Sequence, residues 1–79
     1  MKMKPDFTID CLGLYCPMPI IKTAEKIKEL SAGQILEVIS DDEGIVEDMP
    51  NWCKMTEHEF LEMKQDDDVY RAYVKKVVG

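Results

Sequence analysis

Residues 7–40 read FTIDCLGLYCPMPIIKTAEKIKELSAGQILEVIS, and three spacings of apolar side chains succeed one another along them. Phe7-Thr8-Ile9 alternates as a half-buried strand does and ends at Asp10, ahead of a loop containing Gly13. From Pro17 to Leu30, Ile20, Ala24 and Ile27 stand at i, i+4 and i+7, with Ile21 and Leu30 beside them, which is the stripe of an amphipathic helix. Lys22, Glu25, Lys26, Lys28 and Glu29 form its wet face. Gly33 is a stop signal, and Gln34–Ser40 then reads as a β-branched-rich strand. Strand, helix, strand in that order predicts a right-handed parallel crossover.

Beyond Ser40, Asp41 or Asp42 is placed to cap a second helix, in which Ile45, Met49, Trp52, Cys53 and Thr56 share one face. Pro50 lacks an amide proton and clashes with the carbonyl four residues back, so a kink there, or a restart near Asp48, is expected. Glu59–Gln65 and Val69–Val78 flank the Asp66-Asp67-Asp68 turn and predict a terminal antiparallel hairpin. The expected fold is therefore α/β (α+β): a two-layer βαβαββ sandwich with two helices on one face of a four-stranded mixed sheet.

Seventy-nine residues make one small domain, taken as residues 1–79, with room for a single core. A composition of 46% hydrophobic and 33% charged residues is globular, too apolar for intrinsic disorder. Sixteen acids against ten bases give a net charge of −6, which repels a phosphate backbone and argues against direct, stable nucleic-acid binding. The longest uncharged stretch, Cys11–Ile21, contains Gly13, Pro17 and Pro19 and is too short to cross a bilayer. No secretory leader pattern follows Met1, so a cytoplasmic location is expected. There thiols stay reduced, and the three cysteines, an odd number, leave at least one thiol free.

Of those three, Cys16 stands directly before the first helix, in Cys16-Pro17-Met18-Pro19. Pro17 is expected at the first helical position and Pro19 at the third, where it removes no intrahelical bond because the first amides of a helix have no partner inside it. That leaves the Met18 amide, with the Ile20 amide as a second candidate, to meet a sulfur anion at the N-cap. The positive end of the helix dipole favours the same anion. The pattern points to a reactive thiolate or persulfide at Cys16.

At these residues the chain resembles the TusA-like (also called SirA-like) sulfurtransferases. The resemblance extends over Gly13-Leu14, Cys16-Pro17-Met18-Pro19, Ala32-Gly33, Asp41-Asp42, Met49-Pro50-Asn51-Trp52-Cys53 and Glu57-His58-Glu59. It implies the same βαβαββ sandwich. It also implies a sulfurtransferase of carrier type, in which Cys16 accepts a persulfide sulfur and Pro17, Met18 and Pro19 shape the site. The implied partners are a cysteine desulfurase or rhodanese as donor and a downstream sulfur-relay protein as acceptor, serving tRNA thiolation, molybdenum-cofactor biosynthesis or sulfur oxidation. No cofactor is implied. Many members carry Gly where this chain has Glu57, so a positive φ costing about 1 kcal/mol is anticipated there. The alternative from another class is a non-catalytic regulatory or adaptor module on the same fold.

The remaining candidates have structural readings. Cys11 is an inert residue at the end of the first strand, a resolving thiol for Cys16, or an auxiliary sulfur site; the first is favoured because Cys-x4-Cys matches no common redox pair. Cys53 lies on the apolar stripe with Met49 and Trp52 and reads as core. Cys11, Cys16, Cys53 and His58 offer four zinc-type ligands, but the spacing is looser than that of zinc sites, so no metal is expected. His58 reads as a residue that orients the exit of the second helix. Asp41 and Asp42 follow the second strand and so lie at the sheet edge where the first strand also ends. Lys22 and Lys26 belong to a solvated face that can also meet an acidic partner.

Overall fold

The computed structural model describes residues 4–15 and 17–77. The elements are β1 (Phe7–Cys11), α1 (Met18–Ile27), β2 (Ile35–Ser40), α2 (Ile45–Thr56), β3 (Glu59–Asp66) and β4 (Val69–Lys75). The expected βαβαββ order holds, and the strands form one sheet in the order β1-β2-β4-β3. β1 pairs with β2 in parallel, whereas β4 is antiparallel to both β2 and β3.

Alternation along the strands divides the sheet into two faces. Leu36 and Val38 of β2 and Ala72 and Val74 of β4 are fully buried with Ile27 and Leu30 from the first helical segment and Ile45, Met49 and Cys53 from α2. Because both helices share this single cluster, they lie on one face. Truncating a residue such as Leu36 to Ala would cost about 2–5 kcal/mol, a large share of what so small a core supplies.

Several boundaries differ from the expectation, each for a local reason. The first helix begins at Met18 with Pro17 as N-cap, not at Pro17, because Pro17 has φ −97° and ψ 16°. It ends at Ile27, after which Glu29 N–H donates to Lys26 O at 2.9 Å and Leu30 N–H to Ile27 O at 3.2 Å, tightening the chain into a 3₁₀-like turn. α2 is one uninterrupted helix through Pro50, not two. The carbonyl that Pro50 leaves unserved belongs to Val46, on the solvent side of the helix.

Neither Asp41 nor Asp42 caps α2 through its side chain; Gly44 is the N-cap. Asp42 Oδ1 instead accepts the Gly44 amide at 3.0 Å, closing the approach to the helix. The C-cap, Glu57, is left-handed at φ 67°, as anticipated. In the hairpin Asp66 pairs with Val69, so only Asp67 and Asp68 form the turn, with Asp67 at φ 56°. β4 ends at Lys75, opposite Ile35 at the start of β2, and Lys76 still exchanges backbone bonds with Gln34 and Gly33; Val78 lies outside the described residues.

Candidate functional site

The parallel register places Cys11 opposite Ser40, so β1 and β2 leave the sheet side by side at one edge. From there the chain runs through residues 12–17 into α1 and through residues 41–44 into α2. The first of these loops carries the Cys-Pro-x-Pro segment. It leaves β1 through three amide bonds: Leu12 N–H to Asp10 Oδ1 at 2.9 Å, Gly13 N–H to Asp41 Oδ1 at 3.1 Å and Leu14 N–H to Cys11 O at 3.2 Å. Gly13 adopts φ 81°, a left-handed value that a Cβ disfavours.

At the helix start, Met18 N–H donates to Tyr15 O at 2.7 Å and Ile20 N–H to Pro17 O at 3.1 Å. Both amides expected to face a sulfur anion are thus engaged by backbone carbonyls, which corrects that expectation. The N-cap place assigned to the thiol is held by Pro17. Cys16 itself lies outside the described residues. What the helix start supplies is its dipole, with no acidic residue in the first turn to oppose it.

Pro17 is exposed, Pro19 at the second helical position is buried, and its carbonyl accepts the Thr23 hydroxyl at 2.7 Å. Pro19 therefore anchors the turn while Pro17 faces solvent. Met18 stands on the surface, as do Leu12, Ile21 and Tyr15, the last 77% exposed. Four large apolar side chains are thus in contact with water within ten residues. Pro17 and Ile20 also line a groove of about 310 Å³ with Asp48, Asn51, Trp52 and Met55 of α2.

The other two thiols have a different environment. Cys11 is 1% and Cys53 2% exposed, both within the core cluster. Burial raises the Cys11 pKa, Asp10 adds to the rise and Lys22 offsets part of it. Burial alone pushes Cys53 up to about 11. His58 accepts the Val77 amide on Nδ1 at 3.2 Å and stacks on Trp52 with centroids 5.6 Å apart. It lines a groove with Ala24, Ile27, Lys28 and Lys76, beside the end of α1 remote from Pro17. Burial, then Lys76, lowers its pKa. Among the described residues no three His, Cys, Asp or Glu side chains converge as metal ligands. Lys26 pairs with Glu29 at 3.2 Å and lies over the Phe7 ring, so only part of the lysine face of α1 is solvated.

The Gly13–Asp41 bond was not legible from spacing, although the parallel edge predicted the neighbourhood. The exposure of Leu12 and Tyr15 carried no sequence signal. No helix among the described residues is long and apolar enough to cross a membrane.

Comparison with known proteins adds the family. The family model described as "Sulfurtransferase TusA" matches residues 7–76. The chain belongs to the TusA family. Two proteins of Bacillus subtilis (strain 168), both named "Putative sulfur carrier protein", resemble this TusA domain over 74 residues. YrkI is 40% identical, with 94% of this chain and 99% of YrkI covered. YrkF is 39% identical over 94% of this chain, which spans only 40% of YrkF. An Archaeoglobus fulgidus protein of the same name is 38% identical over 69 residues, 87% of this chain and 94% of its own. Among solved structures, a SirA-like protein from Desulfitobacterium hafniense superposes with a TM-score of 0.78 over 91% of this chain and 99% of its own. At 23% identity, that likeness speaks for the fold of this TusA-family chain.

Proposed function

We propose that this TusA-family chain is a sulfur carrier, residues 1–79 forming one carrier domain in which Cys16 alternates between thiol and persulfide. One observation supports the reading most strongly: Cys11 and Cys53 are buried with raised pKa values, whereas the neighbours of Cys16, Tyr15 and Pro17, are exposed. The names of the relatives agree with it.

In the loading step the Cys16 thiolate attacks the outer sulfur of a donor Cys–S–SH. A new S–S bond forms at Cys16, the donor's S–S bond breaks, and the donor leaves as a thiolate. Delivery repeats the exchange, with an acceptor thiolate taking the outer sulfur and Cys16 regenerated as thiolate. Nothing is oxidised or reduced overall, and no cofactor is needed.

The dipole of α1 favours the thiolate at the start, while Pro17, Met18 and Pro19 hold the shape of that turn. Leu12, Tyr15, Met18 and Ile21 give a protein partner an apolar surface. The donor is a cysteine desulfurase or a rhodanese and the acceptor a relay protein, in the cytoplasm, for tRNA thiolation, molybdenum-cofactor biosynthesis or sulfur oxidation. With a charge of −6, the chain hands sulfur to a protein and does not hold RNA itself. Cys16→Ser is expected to abolish sulfur transfer from a desulfurase, with transfer retained in Cys11→Ala. Transfer surviving Cys16→Ser would refute the assignment.

A further inference from the structure

We propose that Asp41 is the positioning residue of the thiol-bearing loop, its carboxylate holding the Gly13 amide so that the segment leaving β1 keeps one path toward Cys16. This rests on the reading of Cys16 as the sulfur-carrying thiol.

The placement follows from the sheet. Cys11 and Ser40 are partners in the parallel register, so Asp41 is the first residue beyond β2 just where the loop departs from β1. Its Oδ1 accepts Gly13 N–H at 3.1 Å across 28 residues of sequence. The neighbouring bonds are local: Leu12 to Asp10, Leu14 to Cys11 and Met18 to Tyr15 each close within three residues. Such bonds set turns but do not fix the loop against the rest of the fold. The Gly13–Asp41 bond does, and its charged acceptor makes it stronger than a bond between neutral groups.

Gly13 is matched to this role. A Cβ built at Gly13 would meet nothing within 4 Å, so space does not demand glycine; its φ of 81° does. Asp41 is also free of the duty that sequence suggests for it, because α2 takes Gly44 as N-cap and Asp42 closes the approach.

Asp41→Ala and Asp41→Asn separate the two effects. Both remove the charge, but only the alanine removes the acceptor. The measurements are hydrogen exchange of the Gly13 amide and the rate at which Cys16 attacks an aromatic disulfide, dithiobis-nitrobenzoate, followed by peptide mapping. In Asp41→Ala the Gly13 amide should exchange about tenfold faster than in the parent, with Asp41→Asn nearer the parent. Attack by Cys16 should be about tenfold slower in Asp41→Ala than in Asp41→Asn. Equal exchange in the two variants, or attack in Asp41→Ala as fast as in Asp41→Asn, overturns the proposal. Cys16→Ser in the parent chain tells the two readings apart. If the rapid reaction survives that change, the role of Cys16 fails, and Gly13 exchange still decides whether Asp41 holds the loop.

Discussion

The phenol of Tyr73 donates to Oε2 of Glu37 at 2.6 Å, between two residues that face each other across β4 and β2 on the sheet side turned away from the helices. Thr8 Oγ1 donates to the other carboxylate oxygen at 3.0 Å, and Arg71 lies 3.7 Å from Oε2. A carboxylate that is nearly buried is thus satisfied from the two strands, β1 and β4, that flank its own.

Tyr73→Phe removes one of these donors and is expected to cost about 1.5–3 kcal/mol, the range for a hydrogen bond to a charged group. Chemical denaturation of the two proteins checks it, and a loss under about 0.5 kcal/mol would show that Thr8 and Arg71 suffice.

Burial, then the bond to Glu37, pushes the Tyr73 pKa up to about 12. The folded value lies above the unfolded one, so this contribution to stability is complete below about pH 10 and disappears as pH rises toward the folded value. Melting followed from pH 9 to pH 12 should therefore show an alkaline decline that is smaller in Tyr73→Phe.

Glu57 occupies a left-handed conformation at φ 67° at the end of α2. Glu57→Gly relieves that strain and is expected to add about 1 kcal/mol, or roughly 4–8 °C in melting temperature for a domain of this size. An unchanged or lower melting temperature would mean that the Glu57 side chain contributes more than its backbone costs.

With Cys11 and Cys53 buried and their pKa values raised, brief alkylation by iodoacetamide at neutral pH should label Cys16 alone. Peptide mapping should find the other two modified only in denaturant. Early labelling of Cys11 would revive it as an auxiliary thiol.

The β1-α1-β2 unit was legible because its apolar spacing changes from two to 3.6 and back, and the buried place of Cys53 followed from the stripe it shares with Met49. What could not be read depends on three-dimensional register. Asp41 and Asp42 are the same residue type in adjacent positions, and only the pairing of Cys11 with Ser40 gives Asp41 to the loop and leaves Asp42 with Gly44. The bulge in β3, where Phe60 and Glu62 pair with the successive residues Val74 and Tyr73, leaves no mark on the alternation. At the helix start the proline pattern was plain. It did not reveal that the carbonyls of Tyr15 and Pro17 engage the Met18 and Ile20 amides.

Sulfur is proposed to travel on Cys16. Incubation of the full chain with a cysteine desulfurase and cysteine, or with a rhodanese and thiosulfate, followed by intact-mass and peptide mapping, tests it most directly. A gain of one sulfur atom on the Cys16 peptide is predicted, removed by reductant and absent from Cys16→Ser; a sulfur gained on Cys11 or Cys53 instead, or none from either donor, would contradict a carrier role for Cys16.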